Sequence, residues 1–265
     1  MGARTKSVFQ EEMQKTILAA LSRKGCFKSI VFHGGTALRL FHGNPRFSED
    51  IDLVLKDGIG SFDLAPYSSS IGSLCRDSFP FLETVEVRSQ KIGPDLQRYI
   101  LKASSVDQQQ NLKVHIELAA IPSYFNGPRI LDLPPIQPVI MVEEPFEILA
   151  DKAKALAFRP YLKGRDLWDI YFLSKERSVV LDRDLVLRKI MDYKEPVQQL
   201  GDRLDEVRRR IEMDGRTVLG SELERFLPKN VLESYSDHYE DILKCAIEII
   251  SDLKGNMEVK GHEGR

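Results

Sequence analysis

The 265-residue sequence has no apolar run approaching the ~18–20 residues that a membrane-spanning helix needs. Its first residues, MGARTKSVFQEEMQK, lack the apolar core of a signal peptide. Both absences lead us to expect a cytoplasmic protein with no membrane partner. Cysteine is scarce: Cys26, Cys75 and Cys245 are scattered without CxxC spacing, which suits neither a disulfide framework nor a zinc site. They read as plain thiols of the core or the surface. An excess of one charge is missing too, because 38 Lys+Arg against 40 Asp+Glu leave a formal net charge of −2. A nucleic-acid partner would therefore have to be met by a local patch rather than a global field. Repeats and low-complexity tracts are absent. With 42% hydrophobic and 29% charged residues, the composition excludes collagen-like, coiled-coil and disordered chains. One large domain or two smaller ones with real cores remain.

What is present changes character along the chain. Phe9, Met13, Ile17, Ala20 and Leu21 recur at the helical period and predict an amphipathic helix over 6–24, stopped at Gly25. Ser29 to Phe32 favours a strand; His33-Gly34-Gly35 ends it, and Thr36 to His42 returns to helical spacing. After the polar turn Gly43-Asn44-Pro45, residues 49–56 alternate, so Asp50 and Asp52 share one face of a strand and Ile51, Leu53 and Leu55 the other. A helix over 64–78 precedes β-like runs at 83–92, 96–103 and 112–121, whose separators at 93–95 and 107–111 suit antiparallel hairpins. Residues 122–138 are too rich in proline and glycine for an element of their own, and 139–142 make one further strand. From Pro145 the pattern is helical, with helices expected over 145–158, 165–175, 183–193, 197–213 and 231–253. The expected class is α+β: a mixed sheet with flanking helices over 1–143, a helical bundle over 144–254 that completes a cleft, and a flexible tail over 255–265.

The chemistry sits in an ordered set of residues. A glycine pair between strand and helix lets backbone N–H groups approach an anion, and the helix N-terminus adds a favourable dipole, so Gly34, Gly35 and Thr36 form a plausible triphosphate cradle. Such turns also end strands for purely conformational reasons. Two carboxylates at i and i+2 on a strand repel unless a cation lies between them, and oxygen-only ligation suits Mg²⁺ or Mn²⁺. On an exposed edge the same pair would be a solvated face. A third carboxylate is available at Glu117, which shares a face with Lys113 and His115. Glu117 is either a metal ligand and base or the partner of Lys113 or Arg98 in an ion pair. Farther on, Lys152 and Arg159 share a helical face and both reach toward phosphates, while Arg165 and Asp169 are spaced for an exposed i,i+4 pair and Trp168 for the bundle core. The run Arg203, Arg208, Arg209, Arg210 and Arg216 either guides RNA or forms an ordinary solvated face, since Asp202, Asp205, Glu206 and Glu212 intersperse it.

In order and spacing, HGGTALRLFHG, RFSEDIDLVL, KVHIEL, and EILADKAKALAFR with RDLWDIYFL resemble the AbiEii/AbiGii-type nucleotidyltransferase toxin family, within the polymerase-beta-like nucleotidyltransferase superfamily. The resemblance spans about residues 30–175. It implies a nucleotidyltransferase-fold sheet and a Mg²⁺- or Mn²⁺-dependent enzyme that moves a nucleoside monophosphate from an NTP to an acceptor. That acceptor would be RNA, at the 3′ end of a tRNA, and the enzyme would be the toxin of a type IV toxin–antitoxin or abortive-infection system. A DNA-binding antitoxin encoded nearby is the implied partner. Carried over by motif, Gly34, Gly35 and Thr36 hold the triphosphate, with Ser48 among the nucleotide contacts. Asp50 and Asp52 bind the metals, Lys152 contacts phosphate, and Asp166, or alternatively Asp169, completes the site from the helical half; strand parity adds Glu117 as third carboxylate, and the shared helical face adds Arg159 as a phosphate contact. Transfer to a small molecule such as an aminoglycoside, transfer to a protein hydroxyl, and a non-catalytic NTP-binding module are the alternatives.

Overall fold

The computed structural model describes residues 3–105 and 111–259. Residues 107–110 of the second hairpin separator and residues 260–265 of the expected tail lie outside the described residues. The chain divides into two compact units, Met1–Gly43 with Phe47–Glu144, and Asn44–Arg46 with Pro145–Arg265.

The first unit is built on seven strands: β1 (Ile30–His33), β2 (Ile51–Lys56), β3 (Leu82–Ile92), β4 (Leu96–Ser105), β5 (Asn111–Ser123), β6 (Asn126–Ile130) and β7 (Val139–Glu143). They form one mixed sheet in the order β3-β4-β5-β2-β1-β7-β6. β2 runs parallel to β5 and antiparallel to β1, and the β3-β4-β5 stretch is antiparallel throughout. Helices α1 (Ala3–Arg23) and α3 (Ser68–Ser78) pack on each other and against β5 and β3, and α2 (Gly34–Phe41) packs on β1, β2 and β7. Period-2 alternation decides what is buried: along β5, Leu112, Val114, Ile116 and Leu118 are in the core, while Lys113, His115 and Glu117 face the other way. The core of α1 is Met13, Ile17, Leu18 and Leu21, all fully buried.

The proline- and glycine-rich stretch holds an element after all. Residues Asn126–Ile130 form β6, at the edge of the sheet, paired antiparallel with β7. Pro128 is tolerated there because an edge strand has a ladder on one side only.

The second unit is helical: α4 (Pro145–Phe158), α5 (Gly164–Tyr171), α6 (Arg183–Asp192), α7 (Leu200–Phe226), α8 (Lys229–Tyr235) and α9 (Tyr239–Val259). Helix α5 continues into a π-helical turn at Phe172–Glu176. Helix α7 runs 13 residues past Met213, where periodicity suggested its end, and carries Gly215 and Gly220 inside it. A Cβ on Gly215 would lie 2.9 Å from Leu243 of α9, so the glycine permits a close helix crossing, and packing outweighs its low helix propensity of about 1 kcal/mol. The single helix expected over 231–253 is two, separated by a 3-10 turn at Ser236–His238. The hydroxyls of Ser234 and Ser236 donate to the carbonyls of Asn230 and Glu233, the local competition with the helix ladder that favours such a break. No helix among the described residues is long and apolar enough to cross a membrane.

Candidate active site

Strand β1 ends at His33, and α2 starts at Gly34 without a side-chain cap, so the first N–H groups of a helix are presented at the end of a strand. Gly34 has φ +78°, a left-handed conformation, and a Cβ placed on it would lie 2.7 Å from Asp52 Oδ2. Only glycine suits both demands. The turn and the Asp52 carboxylate thus pack too closely to leave room for a side chain at Gly34. Thr36 is fully buried, and its hydroxyl donates to the backbone carbonyl of Asp50. Its oxygen ties the turn to the carboxylate strand.

Register sets Glu117 beside Asp52. Asp52 of β2 stands directly opposite Glu117 of β5 and, on its other side, opposite His33 of β1. Asp50 directly precedes β2. Burial first, and then the negative charges of Asp52, Glu117 and Glu49, push the Asp50 carboxyl up to about 6, against a downward pull from His115. A proton or a bound cation would relieve that repulsion. Asp50, Asp52 and Glu117 offer oxygen donors only, the donor chemistry that suits Mg²⁺ or Mn²⁺. Glu117 also accepts an ion pair from Arg98 Nε at 2.7 Å, the pairing that sequence left open as an alternative. His115 meets Gln90, with Nδ1 3.1 Å from Oε1.

Two residues that the sequence did not single out hold this loop. Gln10 and Gln14 lie one helical turn apart on the buried side of α1, 8% and 1% exposed. Gln10 Nε2 donates to the carbonyls of Glu49 at 3.0 Å and Lys113 at 3.3 Å, and Gln14 Nε2 donates to the carbonyl of Ser48 at 3.0 Å. The readable signal was a pair of amides on an otherwise apolar stripe.

The candidates from the helical half belong to the second unit, where they hold one another. Lys152 Nζ lies 3.0 Å from Asp166 Oδ1 and 2.8 Å from Asp169 Oδ2, and Arg159 pairs with Asp166. Asp169 is fully buried and binds Arg46 through both oxygens, at 3.0 and 2.8 Å. The exposed Arg165–Asp169 pair therefore does not form, and Arg165 turns to Glu222. Asn44 Nδ2 donates to Asp169, while Asn44 Oδ1 accepts from Trp168 Nε1 at 2.9 Å, which explains why Asn44–Arg46 belongs to this unit. Burial alone would push the Asp169 carboxyl up, and the Arg46 and Lys152 cations overcome it, holding it at about 2. Burial also pushes the Lys152 ammonium below its ordinary value, against the pull of Asp169 and with help from the Arg46 cation. Within the arginine run, Arg208 pairs with Glu212, Arg210 with Glu206, and Arg216 with Glu240. Those pairs, one of them to a residue of α9, offset most of the charge of the run, and Arg209 stays exposed without an ion pair among the described residues. The three cysteines are buried and unbridged.

The sequence model of a family described as "Nucleotidyl transferase AbiEii toxin, Type IV TA system" matches residues 16–243. No curated sequence matches the chain. Among solved structures, JHP933 from Helicobacter pylori superposes with a TM-score of 0.51 at 16% identity, covering 97% of this chain and 95% of that one. A second Helicobacter pylori structure, described as a "putative nucleotidyltransferase", gives a TM-score of 0.50 at 17% identity, covering 97% and 98%. At such identities the likeness is one of fold.

Proposed function

The chain belongs to the AbiEii nucleotidyltransferase toxin family of type IV toxin–antitoxin systems, and from that premise we propose that it transfers a nucleoside monophosphate from an NTP to the 3′ end of an RNA, a tRNA, in a Mg²⁺-dependent reaction. The family implies an antitoxin as partner, and we propose a DNA-binding one encoded nearby. The observation that carries the reading is the contact of Gly34 with Asp52 and the register of Asp52 with Glu117. It joins an uncapped helix N-terminus to a set of carboxylates.

Asp50, Asp52 and Glu117 would hold the divalent ions, which supply Lewis-acid neutralisation of phosphate charge when bound. The remaining work belongs to the chain itself. The Gly34-Gly35 turn and the first N–H groups of α2 bind the triphosphate. Thr36 fixes the backbone at Asp50, and Gln10 and Gln14 fix Ser48 and Glu49, so the carboxylates need little reordering when nucleotide enters. Glu117 accepts the proton of the acceptor hydroxyl as its oxygen bonds to the α-phosphorus and the bond to pyrophosphate breaks. Lys152 and Arg159, ordered by Asp166 within the helical unit, carry positive charge of the kind that binds phosphate.

The test is acceptor identification. The protein is incubated with Mg²⁺, each α-labelled NTP in turn, and either total RNA, total protein or small-molecule hydroxyl acceptors. Label on a discrete RNA of tRNA size, lost on chelation, is the expected result. Label confined to protein or to a small molecule would sink the RNA reading.

A further inference from the structure

The sheet face that carries Asp52 and Glu117 extends across β5, β4 and β3, opposite the face packed on α1 and α3. Along it, Glu117 stands opposite Arg98, His115 opposite Ile100, and Lys113 opposite Lys102. Two lysines facing each other across a ladder repel, an arrangement that is unfavourable unless an anion lies over them. Both are exposed, and neither ammonium has an ion-pair partner among the described residues. Glu86, opposite Lys102 on β3, is already engaged by Arg88. Among the described residues these two cations are uncompensated, in contrast to Arg208, Arg210 and Arg216 of α7.

From Lys113 the surface dips into a polar hollow of about 380 Å³, lined among others by Asp50, His115, Asn111 and Lys6. The hollow runs from Lys113 to Asp50, the candidate carboxylate in its lining, and Lys102 stands across the ladder from Lys113 at its margin. Its position relative to the Gly34 turn matters. The turn touches Asp52 from the β1 side, whereas the hollow and the lysines lie on the β5 side, since β2 sits between β1 and β5. In an in-line displacement the attacking hydroxyl and the leaving pyrophosphate lie on opposite sides of the phosphorus. If the triphosphate rests on the turn, the acceptor enters over β5.

We propose that the β4–β5 face is the acceptor surface: Lys113 and Lys102 bind backbone phosphates of the last nucleotides of the RNA and lead its 3′ hydroxyl into the hollow beside Asp50. The inference rests on the RNA reading above. A phosphate-bearing acceptor suits two exposed ammonium groups that face each other, and a cationic small molecule would be repelled by them.

The experiment compares the full chain with K102Q/K113Q and K102R/K113R, measuring RNA affinity across a salt series, NTP affinity, label transfer and thermal melting. In the glutamine variant RNA binding falls on the order of tenfold, and the slope of log affinity against log salt shrinks by about 1.4 for two single-strand phosphate contacts. NTP affinity and melting stay at wild-type values, and the arginine variant restores RNA binding. Wild-type RNA affinity and slope in the glutamine variant would overturn the surface while leaving the RNA reading standing. Loss confined to a variant with Arg208, Arg209 and Arg210 reversed to Glu would also overturn it, moving the acceptor to α7. Failure of the wild-type protein to label any RNA, alongside labelling of another acceptor, would overturn the RNA reading and this surface together.

Discussion

Gly34→Ala separates the two jobs of one glycine. The residue sits at φ +78°, and a methyl group there would lie 2.7 Å from Asp52 Oδ2 and 3.3 Å from its Cβ and Cγ. The left-handed backbone alone costs an alanine about 1–2 kcal/mol. The second cost falls on geometry: a carboxylate oxygen cannot stay at 2.7 Å from a carbon, so Asp52 must move by several tenths of an ångström or more. Displacements approaching 1 Å in a reacting constellation cost about a hundredfold in rate. Gly58 provides the control, with φ +82° and nothing within 4 Å of the added Cβ. Gly58→Ala suffers the backbone strain without touching the site. The prediction is that both variants lose about 1–2 kcal/mol in denaturant unfolding, while only Gly34→Ala loses about a hundredfold in kcat for label transfer. Equal kcat in the two variants would refute the argument that Gly34 is required by the position of Asp52.

The remaining predictions concern charge and packing. Asp50, pushed up to about 6, is costly to ionise in the folded state, so in chelator Asp50→Asn gains on the order of 2 kcal/mol of stability at pH 7.5 and nothing below about pH 3, where both states are protonated. A gain of the same size at both pH values would show that the strain is not ionic. Asp169, held at about 2, contributes stability above its unfolded value near pH 4 and loses it as pH falls toward 2. Arg46→Met leaves that buried carboxylate without its bidentate partner and should cost about 3–5 kcal/mol in unfolding at pH 7; a loss below 1 kcal/mol would contradict the network. Gly164→Ala would set a methyl group 2.7 Å from the Val218 carbonyl and 2.9 Å from Leu219 Cα on α7, and should lower stability by about 1–3 kcal/mol, read by thermal melting.

What the sequence revealed and what it hid follow from the range of each signal. Alternation is local, so the shared face of Asp50 and Asp52, and that of Lys113, His115 and Glu117, is legible from the order of residues alone. The register that sets Asp52 opposite Glu117 lies between distant segments, and alternation is silent on it. The same limit hides Arg46, whose partner Asp169 is 123 residues away: Asn44-Pro45-Arg46 has the composition of a polar turn and gives no sign that it completes a buried ion network. Gln10 and Gln14 were hidden by the apolar residues around them, although amides on a helix's buried stripe do demand partners. Strand β6 was obscured by Pro128, whose missing N–H excludes a central strand and leaves an edge strand allowed. Helix α7 outran its expected end because Gly215 reads locally as a weak point, whereas its function is contact with Leu243 of another helix.

Nucleotidyl transfer by the carboxylates beside the Gly34 turn has its sharpest test at Asp52. Wild-type protein and Asp52→Ala, matched for melting temperature and circular dichroism, are given Mg²⁺, total RNA and α-labelled NTPs. Label is expected on RNA with the wild-type protein and none with the variant. Transfer by Asp52→Ala at the wild-type rate would contradict it.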